Sequence, residues 1–190
     1  VPGLTGRPRF VTVAPFVRFQ TRDRSENDHD GGEYRATWTN YHDREGAFSF
    51  DRWDVDLRQY VGFGRRTRTV ALRAWAAAAT PRDGHEVPFY LQPWLGGAQS
   101  VRGYRTFRFR DRSALLLQAE YRWRVNELVT GALFYDTGAV APTLGTLGRL
   151  DDSYGAGLRV GGRIGSALRL DVAFGSREGR RILVRFDDVF

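Results

Sequence analysis

A strictly alternating stretch from Ser113 to Trp123 most constrains what this chain can fold into. Its odd positions after the first are apolar and end in two amphipathic aromatic residues: Leu115, Leu117, Ala119, Tyr121 and Trp123. Polar side chains occupy even positions in and beside it: Arg112, Gln118, Glu120 and Arg122. Side chains alternate between the two faces of a β-strand, so the segment predicts a strand with one apolar and one charged face. A soluble sheet would bury the apolar face, whereas a transmembrane barrel would turn it to lipid.

The same pattern recurs along the chain and predicts an all-β, antiparallel fold of about nine strands in a meander. The predicted strands are residues 10–22, 33–41, 48–61, 68–80, 111–123, 128–140, 154–164, 167–174 and 182–190. Pro15 interrupts the first strand, so we expect an edge or a bulge there. Short turns alternate with longer loops, as in outer-membrane barrels. The longest connection, residues 81–110, exceeds ordinary loop lengths and predicts a functional loop.

Composition excludes several classes of protein. The chain has no cysteine, so it forms neither disulfides nor thiol-ligated metal sites. Its net charge of +7 comes from arginines that recur at alternate strand positions rather than in one block, so we predict no nucleic-acid partner. No apolar run reaches the roughly 18 residues of a transmembrane helix. The chain also lacks methionine, and we interpret it as a mature or excised segment.

An enzymatic function has little support among the motifs. His29, His42 and His85 lie far apart in predicted turns and loops. Asp187 and Asp188 are neighbours on a predicted strand, so their side chains point to opposite faces and cannot easily converge. The sequence contains no Gly-x-Ser-x-Gly elbow, phosphate-binding loop or zinc-ligand spacing. We therefore predict no catalytic residue, no metal and no cofactor.

Three short motifs follow one another across the long loop and the next two strands. They are Val101-Arg102-Gly103-Tyr104 in the loop, Glu120 on the following strand, and Phe134-Tyr135-Asp136-Thr137-Gly138 on the strand after that. In this order they resemble the Val-Arg-Gly-Tyr/Phe signature, the glutamate and the aromatic-x-Asp-x-Gly pattern of the BamA/TamA superfamily of outer-membrane barrels, the bacterial surface antigen family.

The resemblance implies that the loop folds back into the barrel and places Arg102 against the inner wall. By strand parity Glu120 and Asp136 both face the lumen, where two carboxylates can accept one guanidinium. We expect a clasp formed by Val101, Arg102, Gly103, Tyr104, Glu120, Asp136 and Gly138. The alternative is ordinary charge pairing in the lumen without a preferred partner. If the lumen is partly wet, the clasp should contribute ~1–3 kcal/mol.

The resemblance further implies that residues 1–190 are the C-terminal half of a sixteen-stranded transmembrane β-barrel, with residues 81–110 as its lumen-folding loop. Phe186 and the terminal Phe190 resemble the recognition signal of outer-membrane barrels. An interfacial aromatic girdle is expected from Trp38, Trp53, Tyr60, Tyr121, Trp123 and Tyr135.

The function implied is insertion, assembly or translocation of proteins at the bacterial outer membrane. The expected partners are outer-membrane lipid, client β-barrel or secreted proteins, and periplasmic accessory proteins. Two alternatives stay open at this point. The barrel could anchor or export a patatin-like hydrolase fused upstream, or the chain could be a soluble ligand-binding β-barrel with its aromatic residues in the core.

Overall fold

The structure is a computed structural model that describes residues 2–3, 8–21, 30–44, 46–64, 67–162 and 165–186. Its strands are β1 Phe10–Val13, β2 Phe16–Gln20, β3 Gly31–Asp43, β4 Phe50–Phe63, β5 Arg68–Pro81, β6 Trp94–Leu95, β7 Phe109–Arg110, β8 Ser113–Arg124, β9 Val129–Ala141, β10 Asp151–Gly162, β11 Gly165–Gly175 and β12 Gly179–Arg185. Two 3₁₀ turns span Phe89–Leu91 and Leu144–Thr146. The described residues contain no helix that is both long and apolar enough to cross a membrane.

The long strands form one antiparallel meander in which neighbours in sequence pair with each other. Its order is β1 and β2, then β3, β4, β5, β8, β9, β10, β11 and β12. β1 and β2 both pair with β3 and are separated at Pro15, whose carbonyl accepts a hydrogen bond from the Trp38 N–H at 3.1 Å. The predicted all-β meander is confirmed. Within the described residues the sheet is open, since β12 pairs only with β11 and β1 and β2 pair only with β3.

One face of the sheet, which we call the outer face, is apolar and exposed from strand to strand. Its exposed side chains include Val17, Phe19, Trp53, Leu57, Leu72, Leu117, Leu133, Tyr135, Tyr154, Leu158, Val172, Phe174, Ile182 and Val184. A soluble monomer rarely leaves so continuous an apolar surface in water, so this pattern is that of a lipid-facing wall. The opposite face, the inner face, carries most of the strand charges.

Consecutive connections alternate between the two ends of the sheet. Residues 64–67, 125–128 and 163–164 join strands at what we call the short-turn end. Residues 44–49, 82–112, 142–150 and 176–178 join strands at the loop end. The alternation in length is not strict, because residues 176–178 make a tight turn at the loop end and residues 21–30 a longer connection at the short-turn end.

Several details differ from the sequence prediction. β10 begins at Asp151 because Asp151 and Ser153 pair with Gly138 and Asp136. β12 ends at Arg185, so Phe186 follows the strand with its side chain 81% exposed, and Phe190 lies outside the described residues.

Tyr60 does not belong to the aromatic girdle. It shares the parity of Arg58 and is buried on the inner face.

Candidate functional site

The long loop between β5 and β8 is an ordered structure that lies on the inner face. Its base is a two-stranded ribbon in which Trp94 pairs with Arg110 and Leu95 with Phe109. Gly96 and Gly97 follow at φ of 107° and 88°, a region that side chains other than glycine rarely adopt. The Gly97 N–H donates to the Tyr104 carbonyl at 2.8 Å and closes the turn that presents Arg102.

Apolar contacts fix the loop to the wall. Leu95, Val101 and Tyr104 are buried against Ala114 and Leu116 of β8. These two β8 residues lie at even positions, on the face that the alternation marks as polar. Alternation alone did not predict this apolar contact, although two apolar residues interrupting a charged face beside a long loop were a signal for it. Burial of this cluster stabilises the folded-back loop.

Arg102 contacts both carboxylates that its motif predicts. Its Nε and Nη2 donate to Asp136 Oδ2 and Oδ1, each at 2.7 Å, and its Nη1 donates to Glu120 Oε2 at 2.6 Å. The backbone N–H of Arg102 also donates to Asp136 Oδ2 at 3.2 Å. The guanidinium carbon lies 3.5 Å from the centroid of the Phe134 ring. One guanidinium therefore joins the loop to two neighbouring strands, with planar, two-point pairing to Asp136.

Strand register explains why these groups meet. β8 and β9 pair with Gln118 opposite Asp136 and Glu120 opposite Phe134, which places both carboxylates on the inner face within reach of one side chain. The Gln118 Nε2 donates to Asp136 Oδ1 at 3.0 Å and to the Ser100 carbonyl at 2.8 Å. Gln118 thus joins the loop to the wall as well. Gln118 lies in none of the three motifs, and its role depends on strand register.

The side chains of Arg102, Glu120 and Asp136 are all fully buried. Burial by itself lowers the pKa of the Arg102 guanidinium, but the carboxylates of Asp136 and Glu120 outweigh burial and hold that pKa above its ordinary value. The two carboxylates therefore favour the charged form of Arg102. The partly wet lumen assumed from the sequence does not apply at this site. Removing one partner from such a dry pair costs ~3–5 kcal/mol, because the other charge stays buried.

The ion pairs extend beyond the clasp to β10 and β11. Glu120 also pairs with Arg122 Nε at 2.8 Å and with Arg159 Nη2 at 3.0 Å. Asp171 pairs with Arg159 Nη1 and with Arg169 Nη2, each at 2.6 Å. Glu120 is thus shared between the clasp and a second group of charges. The sequence shows these residues only as alternating polar positions, and their partners follow from register.

The glycine and tyrosine positions of the motifs are in close contact with the wall. A Cβ on Gly103 would lie 2.5 Å from the Gly175 nitrogen and 2.7 Å from Ser153 Cβ. A Cβ on Gly138 would lie 2.6 Å from the Leu115 carbonyl oxygen and 2.8 Å from Leu95 Cδ1. The buried Tyr104 hydroxyl lies 2.8 Å from Ser176 Oγ. Phe186, by contrast, is exposed after β12 at the short-turn end and is not part of this site.

Comparisons with known proteins agree with this fold. The family model of the Omp85 superfamily domain matches residues 18–187. Among solved structures, the chain is similar to BamA from Haemophilus ducreyi lacking POTRA domains 1-3, with a TM-score of 0.75 and 16% sequence identity. The match covers 90% of this chain and 40% of that chain, so the present chain spans less than half of that protein. At this identity the likeness shows the fold alone. No curated protein matches the chain.

Proposed function

Because the chain belongs to the Omp85 superfamily and is therefore located in the bacterial outer membrane, we propose that it is the C-terminal part of a barrel that inserts or translocates proteins there. The buried clasp of Arg102, Glu120 and Asp136 carries this proposal. Such a clasp fixes a long loop against the inner wall of the barrel. The open sheet and the 40% coverage of the BamA chain support a barrel completed by further strands.

In the mechanism that we propose, ion pairs stabilise one part of the barrel wall, and the barrel opens at a weak seam beside β12. The loop holds β8 and β9 together through Arg102, and Glu120 and Asp171 extend the ion pairs to β10 and β11. β12 lies beyond this braced region and pairs only with β11 among the described strands. Its free backbone edge can template an incoming strand through main-chain hydrogen bonds, which require no particular client sequence.

The proposed partners follow from the two faces and the free edge. The outer face contacts outer-membrane lipid, and the β12 edge contacts client β-barrel or secreted proteins. The short-turn end faces the periplasm, where accessory proteins deliver clients. In this proposal the energy of insertion comes from strand pairing and lipid burial, so the barrel uses neither a catalytic residue nor a cofactor and binds no nucleic acid.

The test uses the full-length protein that contains this chain, which we call the full-length parent. It is reconstituted in liposomes, and the folding of a denatured outer-membrane client is followed by its gel-mobility shift. We expect the parent to accelerate folding, and Arg102→Ala to lose most of that acceleration. Arg149→Ala is the matched control, because Arg149 is an exposed arginine in the loop of residues 142–150. A parent no faster than empty liposomes would refute the proposed function.

A further inference from the structure

A groove crosses the outer face where β4, β5, β8 and β9 lie side by side. Two alanines, Ala74 of β5 and Ala119 of β8, each lie between two longer side chains of the neighbouring strands. Those longer side chains, which also line the groove, are Leu57, Leu72, Leu117 and Tyr135. Each alanine therefore leaves a depression in the apolar wall. The groove has a volume of about 480 Å³, which lies in the range of small-ligand sites, ~300–1,000 Å³.

The lining of the groove favours a hydrocarbon occupant. The polar side chains that line it on the outer face already have partners, since the Tyr34 hydroxyl donates to Gln59 Oε1 and Thr137 Oγ1 donates to the Asp151 carbonyl at 3.3 Å. An extended peptide in lipid would leave its backbone N–H and C=O groups unpaired against such a lining. The chain is located in the bacterial outer membrane, where acyl chains surround an apolar outer wall. An acyl chain therefore suits the groove better than a peptide does.

One exposed arginine lies on the same face at the short-turn end. Arg68 begins β5, and its cross-strand neighbours are aromatic, Phe63 on β4 and Trp123 on β8. Tyr121 stacks on both of these rings, with its centroid 6.1 Å from that of Phe63 and 5.7 Å from that of Trp123. Such aromatic groups mark the level of the membrane–water interface in outer-membrane barrels. Arg68 therefore lies at the depth of the lipid headgroups.

The distance between Arg68 and the groove matches one lipid leaflet. Leu72 lies four residues and Ala74 six residues after Arg68 on β5, which is ~13 Å and ~20 Å along the strand at ~3.3 Å per residue. A strand tilt of ~40° reduces these distances to ~10 Å and ~15 Å along the membrane normal. Half of the hydrocarbon core measures ~15 Å. A phospholipid whose phosphate contacts Arg68 therefore extends its acyl chains as far as the groove.

We propose that Arg68 and the groove bind an anionic phospholipid of the leaflet at the short-turn end. Its phosphate pairs with the Arg68 guanidinium, and one acyl chain lies over Ala74 and Ala119. The site rests on the proposed contact of the outer face with lipid and is independent of client insertion. A zwitterionic headgroup carries its own cation beside the phosphate and gains less from the guanidinium, so the site favours an anionic lipid.

The headgroup part of the site is tested with the full-length parent in a non-ionic detergent, by native mass spectrometry of the phospholipid that it retains. Phosphatidylglycerol is compared with phosphatidylcholine that has the same acyl chains, and we expect phosphatidylglycerol to bind more tightly. Arg68→Gln should weaken its binding about fivefold, since one arginine near a membrane surface contributes about 1 kcal/mol. The matched control is Arg180→Gln, which removes an exposed arginine of the outer face at the loop end, opposite Phe174.

The acyl-chain part of the site has a variant of its own. Ala119→Leu fills the groove and should weaken the binding of both lipids. The control is Ala156→Leu, which adds the same side chain to the outer face of β10, between Leu133 and Val172 and away from the groove. We expect this control to bind phosphatidylglycerol as the parent does.

Equal binding of the two lipids by the unmodified parent would overturn the proposal, and this comparison decides the matter even if a variant does not fold. Equal losses for Arg68→Gln and Arg180→Gln, or for Ala119→Leu and Ala156→Leu, would also overturn it. Client insertion by the same preparations separates the lipid site from the proposed function. A parent that inserts clients but binds both lipids equally overturns the lipid site alone. A parent that prefers phosphatidylglycerol through Arg68 but inserts no client supports the lipid site and refutes the proposed function.

Discussion

At the scale of single residues, the site depends on shape as much as on charge. Arg102 forms two parallel hydrogen bonds to Asp136 and a third to Glu120, and a lysine ammonium cannot reproduce this planar geometry. Gly103 lets the loop backbone lie directly against Gly175, where no side chain fits. Arg102 and Gly103 therefore act together. Arg102 supplies the hydrogen bonds to the two carboxylates, and Gly103 allows the loop backbone to lie close to the wall.

We predict that Gly103→Ala destabilises the full-length parent by ~1–3 kcal/mol, because the added methyl group overpacks a close backbone contact. The measurement is the denaturant midpoint in detergent. Gly148→Ala is the control, since a Cβ there meets nothing within 4 Å. If the two variants shift the midpoint equally, the loop does not press against β11 at this point.

The sequence predicts some of the site residues and not others, for a physical reason. Arg102, Glu120 and Asp136 stand in recognisable motifs, so they could be named as candidates from the sequence. Gln118 and the Arg159–Asp171 ion pair could not, because such contacts depend on strand register. A shift of one residue in the pairing would move every side chain to the opposite face. Alternation alone does not specify which register is adopted.

At the scale of elements, alternation predicts the long strands, whereas only the motif resemblance implies that the loop folds back onto the inner wall. Alternation is a local property, so it locates each strand to within a few residues, including the interruption at Pro15. The loop of residues 82–112 adopts its structure through contacts with Ala114 and Leu116 of β8, with Asp136 of β9 and with the turn that follows β11. Such contacts leave no periodic pattern in the loop sequence, which therefore reads as unstructured.

An added charge should have opposite effects on the two faces of the sheet. Leu117→Arg places a charge on the outer face, where Leu117 is 39% exposed, and should cost ~2–4 kcal/mol near mid-membrane. Thr37→Arg is the control, because Thr37 is half-buried on the inner face opposite Asp54 and should tolerate arginine. Gln118→Arg, which parity alone suggests as a mild change, is unsuitable because Gln118 is buried and hydrogen-bonded to Asp136.

Unfolding midpoints of the two variants in detergent provide the measurement. Equal penalties for Leu117→Arg and Thr37→Arg, or greater stability of the parent in plain buffer than in detergent, would contradict the assignment of the outer face to lipid.

At the scale of the whole molecule, the described sheet ends in two free edges. One consists of β1 and β2 and the other of β12, each with a single neighbour in the described part of the chain. A free edge of this length pairs readily with another chain unless strands of the same protein cover it. Both edges of the described sheet are therefore available for pairing with further strands.

We predict that the 190-residue segment, refolded alone in detergent, self-associates through these edges. Light scattering coupled to size-exclusion chromatography measures its mass, with the full-length parent as the control. A monomeric segment that unfolds cooperatively would show that these strands close a small barrel by themselves.

We propose that Arg102 and Asp136 act as one unit in the working barrel. A double-mutant cycle on client insertion by the full-length parent tests it most directly, using Arg102→Ala, Asp136→Asn and both together, with Arg102→Lys beside them. We predict that Arg102→Lys impairs insertion almost as much as Arg102→Ala, and that the double variant is little worse than either single one, with a coupling of ~0.5–3 kcal/mol. Effects of Arg102→Ala and Asp136→Asn that add to within ~0.3–0.5 kcal/mol would contradict the claim, because the two residues would then act independently.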